Sequence, residues 1–139
     1  MFVLDTNVVS ELRKAHAGKA NPGVSDWASS VPAALMFMSV ISLHELEHGG
    51  LLSERRDPTQ GALLRTWLDN SVTPAFQDRF LPVTPDIARQ AAALHVPDPA
   101  PFRDALIAAT ALCHDMTVIT RNVSDFERFA ELEINNPWT

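Results

Sequence analysis

Short runs of consecutive apolar residues recur along this chain of 139 residues, each followed by a stretch long enough for a helix. Continuous apolarity, rather than strict alternation, marks strands covered on both faces, as in a parallel sheet. Strand, helix, strand, helix is the order of an α/β domain. The runs predict strands at Phe2–Leu4, Met36–Ile41, Phe80–Val83 and Thr117–Thr120, with a weak last strand near Leu132–Ile134. Pro82 places the third at a sheet edge. Thr6 is read as the cap of a helix from Asn7 to Ala15. Asn21-Pro22 opens a helix to Ser30, Ser42 one to Glu54, and Asp57-Pro58 one to Ser71 with Leu63, Leu64, Trp67 and Leu68 on one face. Thr84-Pro85 starts a helix to His95, Phe102 one to His114, and a short helical stretch covers Asn122 to Phe129. The expected architecture is a parallel sheet of four or five strands with helices on both faces. The length supports a single domain over residues 1–139.

Hydrophobic residues at 46% exclude a disordered chain. One cysteine, Cys113, excludes an internal disulfide framework and a paired-cysteine zinc site. It is read as a small buried hydrophobe in an Ala-rich helix, and a reducing, cytoplasmic compartment is expected. No basic segment follows Met1, so no signal peptide is expected. The longest near-apolar run, Ala33 to Leu43, is 11 residues, too short to span a bilayer. Asp and Glu number 17 against 11 Lys and Arg, a net charge of -6. Such a chain cannot grip nucleic acid through a basic face alone; cations, a metal among them, would have to neutralise part of its surface.

Placed on this scheme, four acids from separate segments reach one rim. Asp5 ends the first strand, and Glu45 lies in the first turn of the helix leaving the second. Asp104 lies in the first turn of the helix running back to the fourth strand, and Asp125 follows that strand closely. In open α/β sheets, sites form beyond the carboxyl ends of the strands. Clustered carboxylates repel, and burial raises their pKa values; a hard divalent cation such as Mg²⁺ relieves both and suits an all-oxygen site. Each acid also has a purely structural reading. Asp5 can simply end a strand, Ser42-x-x-Glu45 is a capping box, Asp104 complements a helix dipole, and Asp125 can cap a last turn. Those readings leave the shared rim to coincidence.

Thr6, Asn7, Thr120 and Asn122 surround the same rim and can orient ligands or waters from behind, or serve as turn and cap residues. Arg121, Arg13 and Lys14 are candidate contacts to substrate phosphate, with Lys19, Arg55 and Arg56 as further cations. His44-Glu45-Leu46-Glu47-His48 has the spacing of a zinc protease helix, but no third ligand follows and Glu45 already belongs to the rim, so zinc proteolysis is not expected. Trp27, Trp67 and Trp138 are read as core or interface fillers.

These residues resemble a known family. Phe2-Val-Leu-Asp-Thr-Asn-Val-Val-Ser-Glu-Leu12 looks like the opening motif of PIN-domain toxins of the VapC type, its FitB-like branch especially. Ser42-Leu-His-Glu45-Leu-Glu-His-Gly49, Asp104-Ala-Leu-Ile-Ala-Ala109 and Thr120-Arg-Asn-Val-Ser-Asp125-Phe126 resemble the second, third and fourth motifs, in order. The helix after Asp104 ends Leu-Cys-His-Asp where the family more often has Gly. The resemblance implies a PIN domain and a Mg²⁺- or Mn²⁺-dependent endoribonuclease, the toxin of a type II toxin–antitoxin pair. It maps the motif acids onto Asp5, Glu45, Asp104 and Asp125, with Asp5 and Asp104 the firmest metal ligands. It further implies an RNA substrate, a homodimer, and a VapB-like antitoxin whose C-terminal segment covers the site. Such a partner is expected to bring an arginine or another basic group to the rim. Two rival readings stand beside it. A haloacid-dehalogenase-like phosphotransfer enzyme also carries an Asp after its first strand, but wants a second Asp where this chain has Asn7. A non-catalytic module would use the acid rim to dock a basic peptide.

Overall fold

In the computed structural model, which describes residues 1–139, the first apolar run becomes the centre of the sheet. The strands are β1 (Phe2–Leu4), β2 (Met36–Ser39), β3 (Phe80–Leu81), β4 (Thr117–Ile119) and β5 (Ile134–Asn135). They lie in the order β3-β2-β1-β4-β5, and every pairing is parallel. Phe2 faces Met36 on one side and Thr117 on the other. Side chains alternate between two cores, the period-two consequence of a pleated strand covered on both faces. Val3, Phe37 and Val118 enter one core; Phe2, Leu4, Met36, Met38 and Ile119 enter the other.

The helices divide in the same way. α1 (Thr6–Leu12), α2 (Pro22–Ser30), α3 (Val40–Arg56), α4 (Pro58–Trp67) and α5 (Thr73–Ala75) lie along the chain between β1 and β3. This half of the chain supplies Val8, Val24, Leu46, Leu68, Val72 and Phe76 to the core that holds Leu4. α6 (Pro85–Leu94), α7 (Phe102–His114) and α8 (Val123–Phe126) follow, and supply Ile87, Ala105, Ile107, Ala108 and Phe126 to the core that holds Val3. Helices therefore cover both faces, as expected. None is long and apolar enough to cross a membrane.

Several boundaries differ from the sequence reading, each for a local reason. β2 stops at Ser39, not Ile41, because the Ser39 hydroxyl accepts a hydrogen bond from the Ile41 amide at 3.0 Å and caps α3 there. Ser42 is thus inside the helix, buried, with its hydroxyl unpaired, and the Ser42–Glu45 capping box does not exist. α1 is capped by Asp5 rather than Thr6, and becomes a 3₁₀ turn over Arg13–Ala17 that Gly18 ends at φ 67. α4 passes into a π-helical turn, Leu68–Val72. β3 ends at Leu81, just before Pro82, and the last strand is Ile134–Asn135 rather than Leu132–Ile134. Cys113 is exposed, not buried, because only residues 104–111 of α7 turn wholly inward. Leu63 likewise faces solvent. Trp27, Trp67 and Trp138 all pack against the Leu4 core, as fillers should.

Two helical glycines make opposite predictions. A Cβ on Gly61 would stand 2.3 Å from the Glu54 Cα, so this glycine lets α4 approach α3 closely; a Cβ on Gly49 would meet nothing within 4 Å. Gly61→Ala should destabilise by about 1–2 kcal/mol, because overpacking outweighs the helix propensity gained. Gly49→Ala should stabilise by up to about 1 kcal/mol. Urea unfolding midpoints of the two variants check both signs.

Candidate active site

The carboxyl end of β1 places Asp5 against β4, where its amide donates to the Ile119 carbonyl at 2.9 Å. The side chain is 1% exposed and takes four hydrogen bonds. Oδ1 accepts from the Thr6 amide at 2.8 Å and from Arg103 Nη2 at 3.0 Å. Oδ2 accepts from the Thr120 hydroxyl at 2.8 Å and from Asn7 Nδ2 at 3.4 Å. Burial still pushes the Asp5 carboxyl above the usual carboxylate range; the Thr120 hydrogen bond, Arg103 and the Thr6 amide oppose this, and the Glu45 charge adds to it.

Glu45 stands in the second turn of α3, not the first, and reaches back across the rim. Its Oε1 accepts the Thr6 hydroxyl at 2.7 Å, and its Oε2 lies 2.6 Å from Arg103 Nε. Asp104, in the first turn of α7, is 2% exposed and takes Arg103 Nη1 at 2.5 Å. Burial raises its pKa first; Arg103 lowers it, and the charges of Asp125, Asp5 and Glu45 raise it again. Asp125 is exposed on α8, close enough for its charge to act on Asp104 but outside the grip of Arg103. Three of the four acids therefore meet at one point, and the fourth flanks it.

Arg103 is the residue that the sequence did not point to. Each of its three nitrogens addresses a different carboxylate, at the end of β1, on α3 and on α7. Burial works against its charge, but Glu45, Asp5 and Asp104 together hold its proton more firmly than usual. Helical neighbours in sequence do not normally face each other, so nothing in Arg103-Asp104 announced that the arginine folds back over its neighbour.

Of the supporting residues, Thr6, Asn7 and Thr120 all bond the acids directly, and Thr120 also accepts the Asn122 amide at 3.0 Å. Arg13 lines the cleft that holds Thr6 and Glu45, with its guanidinium 5.9 Å above Trp67. Arg121 donates its amide to Asn7 Oδ1 at 3.4 Å and lies over Trp138. Lys14 is paired with Glu11, and Lys19 is exposed beyond Gly18. Arg55 and Arg56 sit in the last turn of α3, roughly 15 Å along the helix from Glu45, and are not brought to the rim. His44 and His48 are exposed side by side with no third ligand.

The donor set is all oxygen, which suits a hard divalent cation. It is not closed into a cage: no three acid, histidine or cysteine side chains stand at metal-holding spacing.

The raised carboxyls predict a pH dependence. An acid whose folded pKa exceeds its unfolded value binds its proton more tightly in the folded chain. Its contribution is fully present below the ordinary Asp value of about 4 and is lost as pH rises through the folded value. In metal-free protein the contribution of Asp5 and Asp104 should therefore fall as pH rises above about 4. Asp104→Asn should raise the neutral-pH melting midpoint and flatten that fall, checked by thermal melts in chelator across this range.

The PIN domain family model matches residues 2–132. The chain is 36% identical to the VapC ribonuclease Y4jK of Sinorhizobium fredii, with 99% of this chain and 98% of that protein aligned. It is 33% identical to the toxin FitB of Neisseria gonorrhoeae, over 99% of each. The crystal structure of FitAcB from Neisseria gonorrhoeae superposes with a TM-score of 0.88 and 31% identity, covering 99% of each chain. A match across nearly the whole chain leaves no place for a fold of the haloacid-dehalogenase type: the chain belongs to the PIN domain family.

Proposed function

We propose that this protein is the toxin of a type II toxin–antitoxin pair, an endoribonuclease that hydrolyses RNA phosphodiester bonds with Mg²⁺ or Mn²⁺ held by Asp5, Glu45, Asp104 and Asp125. The observation that carries this reading is the meeting of Asp5, Glu45 and Asp104, from three distant segments, on a single cationic group. Burying like charges is costly unless each is compensated, so two buried acids beside a third is an arrangement that function accounts for better than stability. The names of the relatives, a VapC ribonuclease and a FitB toxin, support the substrate and the biological role. The whole chain acts as one domain in the cytoplasm, as a homodimer, and a VapB-like antitoxin covers the acid rim.

In this reading each residue has a task. Asp5 is fixed by the Thr6 amide, Thr120 and Asn7, so its carboxylate cannot turn away from the rim. Thr6 holds Glu45 toward Asp5 through its hydroxyl. Asp104 faces them from α7, and Asp125 supplies charge from the exposed side. A divalent cation bound among them would offset the phosphodiester charge and make the attacking water more acidic. Arg13 and Arg121 flank the path of the RNA backbone, which offsets part of the net charge of -6. Attack by water on phosphorus, with the P–O3′ bond breaking and the 3′-oxygen leaving as a hydroxyl, needs no ribose 2′-hydroxyl and gives a 5′-phosphate.

Glu45→Gln tests the acid that has the most alternatives. Gln can still accept the Thr6 hydroxyl but brings no charge for a hard cation. Metal-dependent cleavage of an RNA panel should fall at least about 100-fold, equivalent to roughly 2.7 kcal/mol of barrier. Metal-free stability should change by no more than about 1 kcal/mol, since the ion pair is partly exposed. Cleavage at the wild-type rate under matched metal would leave a site of three acids. Separately, Mg²⁺ or Mn²⁺ at about 100 times its dissociation constant should stabilise the wild type by about 2.7 kcal/mol in thermal melts. A melt indifferent to both ions would overturn the metal site.

A further inference from the structure

We propose that Arg103 is a resident counter-ion that competes with the divalent cation for the carboxylates, and so sets how much metal the site needs. The inference rests on the metal-dependent reading of the site given above. Its guanidinium contacts Asp5 at 3.0 Å, Glu45 at 2.6 Å and Asp104 at 2.5 Å, so it occupies the charge of the same three acids that a divalent cation would use. The hydrogen bonds from Arg103 occupy Asp5 Oδ1 and Asp104 Oδ1, oxygens that a metal would need. With the guanidinium seated, one cation already neutralises part of the charge of all three acids. One positive charge faces three carboxylates, whereas a divalent ion brings twice the charge on a smaller radius. Both cations together at this one point would repel each other, so binding of one favours departure of the other.

The exit is open. The Arg103 side chain is 35% exposed, against 1% for Asp5 and 3% for Asp104. It projects from the first turn of α7, so rotation about its own bonds carries the guanidinium into solvent without moving the helix. When a binding-competent state is only partly populated, apparent affinity falls by that fraction. Arg103 seated on the acids is the incompetent state.

The test is Mn²⁺ binding to the full-length protein, read by loss of the free-ion electron paramagnetic resonance signal and by calorimetry. Arg103→Gln should bind Mn²⁺ about tenfold tighter or more, the size of one hydrogen bond to a charged group. Arg103→Lys, which keeps the charge but cannot span three carboxylates, should fall between. Arg89→Gln removes the same charge from an exposed position on α6 and should leave binding unchanged. Circular dichroism checks the fold of each variant; if Arg103→Gln does not fold, Arg103→Lys alone decides, by binding tighter than wild type or not. Affinity equal to or weaker than wild type in the folded Arg103 variants overturns the competition and leaves the metal site standing. No Mn²⁺ binding by wild type or any variant overturns both.

Discussion

A carboxylate with 1% of its surface exposed ends the central strand, and the rim is organised around keeping it there. Burying a charge is costly unless it is paired and hydrogen-bonded. Asp5 meets that demand with four donors drawn from α1, the residue after β4, and α7. The same carboxylate caps α1, so one group ends a strand, starts a helix and ties β1 to β4. Thr6, fixed by that cap, then sends its hydroxyl to Glu45. An apolar residue at position 5 would leave Thr120 and Arg103 each one acceptor short.

The arrangement carries a standing electrostatic strain. Asp5 and Asp104 both have raised pKa values, with burial as the leading cause and neighbouring acids as a further one. A fold selected for stability alone would not bring a third acid, Glu45, to the same point. Sites that bind or react are where such local cost is kept, and the rest of the chain must be stable enough to bear it. Here that support comes from two cores, one on each face of the sheet, that hold the strand ends in register. The partial compensation is internal. The chain itself brings a basic group to the rim in Arg103.

The sheet and most helices were legible in the sequence because their signals were local: continuous apolar runs, Pro at first helical positions, and side-chain caps at Asn21, Asp57 and Thr84. The start of α3 was misread because Ser39 and Ser42 are both possible caps, and Val40-Ile41 reads equally well as strand. Only the Ser39 hydrogen bond to the Ile41 amide decides between them. That choice matters beyond a boundary, since it moves Glu45 from the first turn to the second and frees it from any capping duty. Arg103 was illegible for a different reason. Its three partners are 98 and 58 residues away or adjacent on a helix, and no short-range pattern encodes such a meeting. The burial of Asp104 beside an exposed Cys113 shows the same limit: which part of an Ala-rich helix is covered depends on what packs over it.

Topology explains why the acids meet where they do. From β1 the chain steps through β2 to β3 in one direction, with its helices over the Leu4 core. It then crosses back past β1 to β4 and β5, with α6 to α8 over the Val3 core. Right-handed crossovers require this exchange of faces when the direction reverses. The reversal opens a crevice between the carboxyl ends of β1 and β4, the place where open α/β sheets bind ligands. Asp5 and Thr120 are the residues directly beyond those two strand ends, and they are hydrogen-bonded to each other. α7 belongs to the returning connection, and it starts at the same rim with Arg103 and Asp104. α3 leaves the neighbouring strand β2 from the same edge and delivers Glu45 from the opposite face. The acids therefore reach the crevice from both layers of helices, and the Arg103 guanidinium touches side chains from the end of β1, from α3 and from α7 at once.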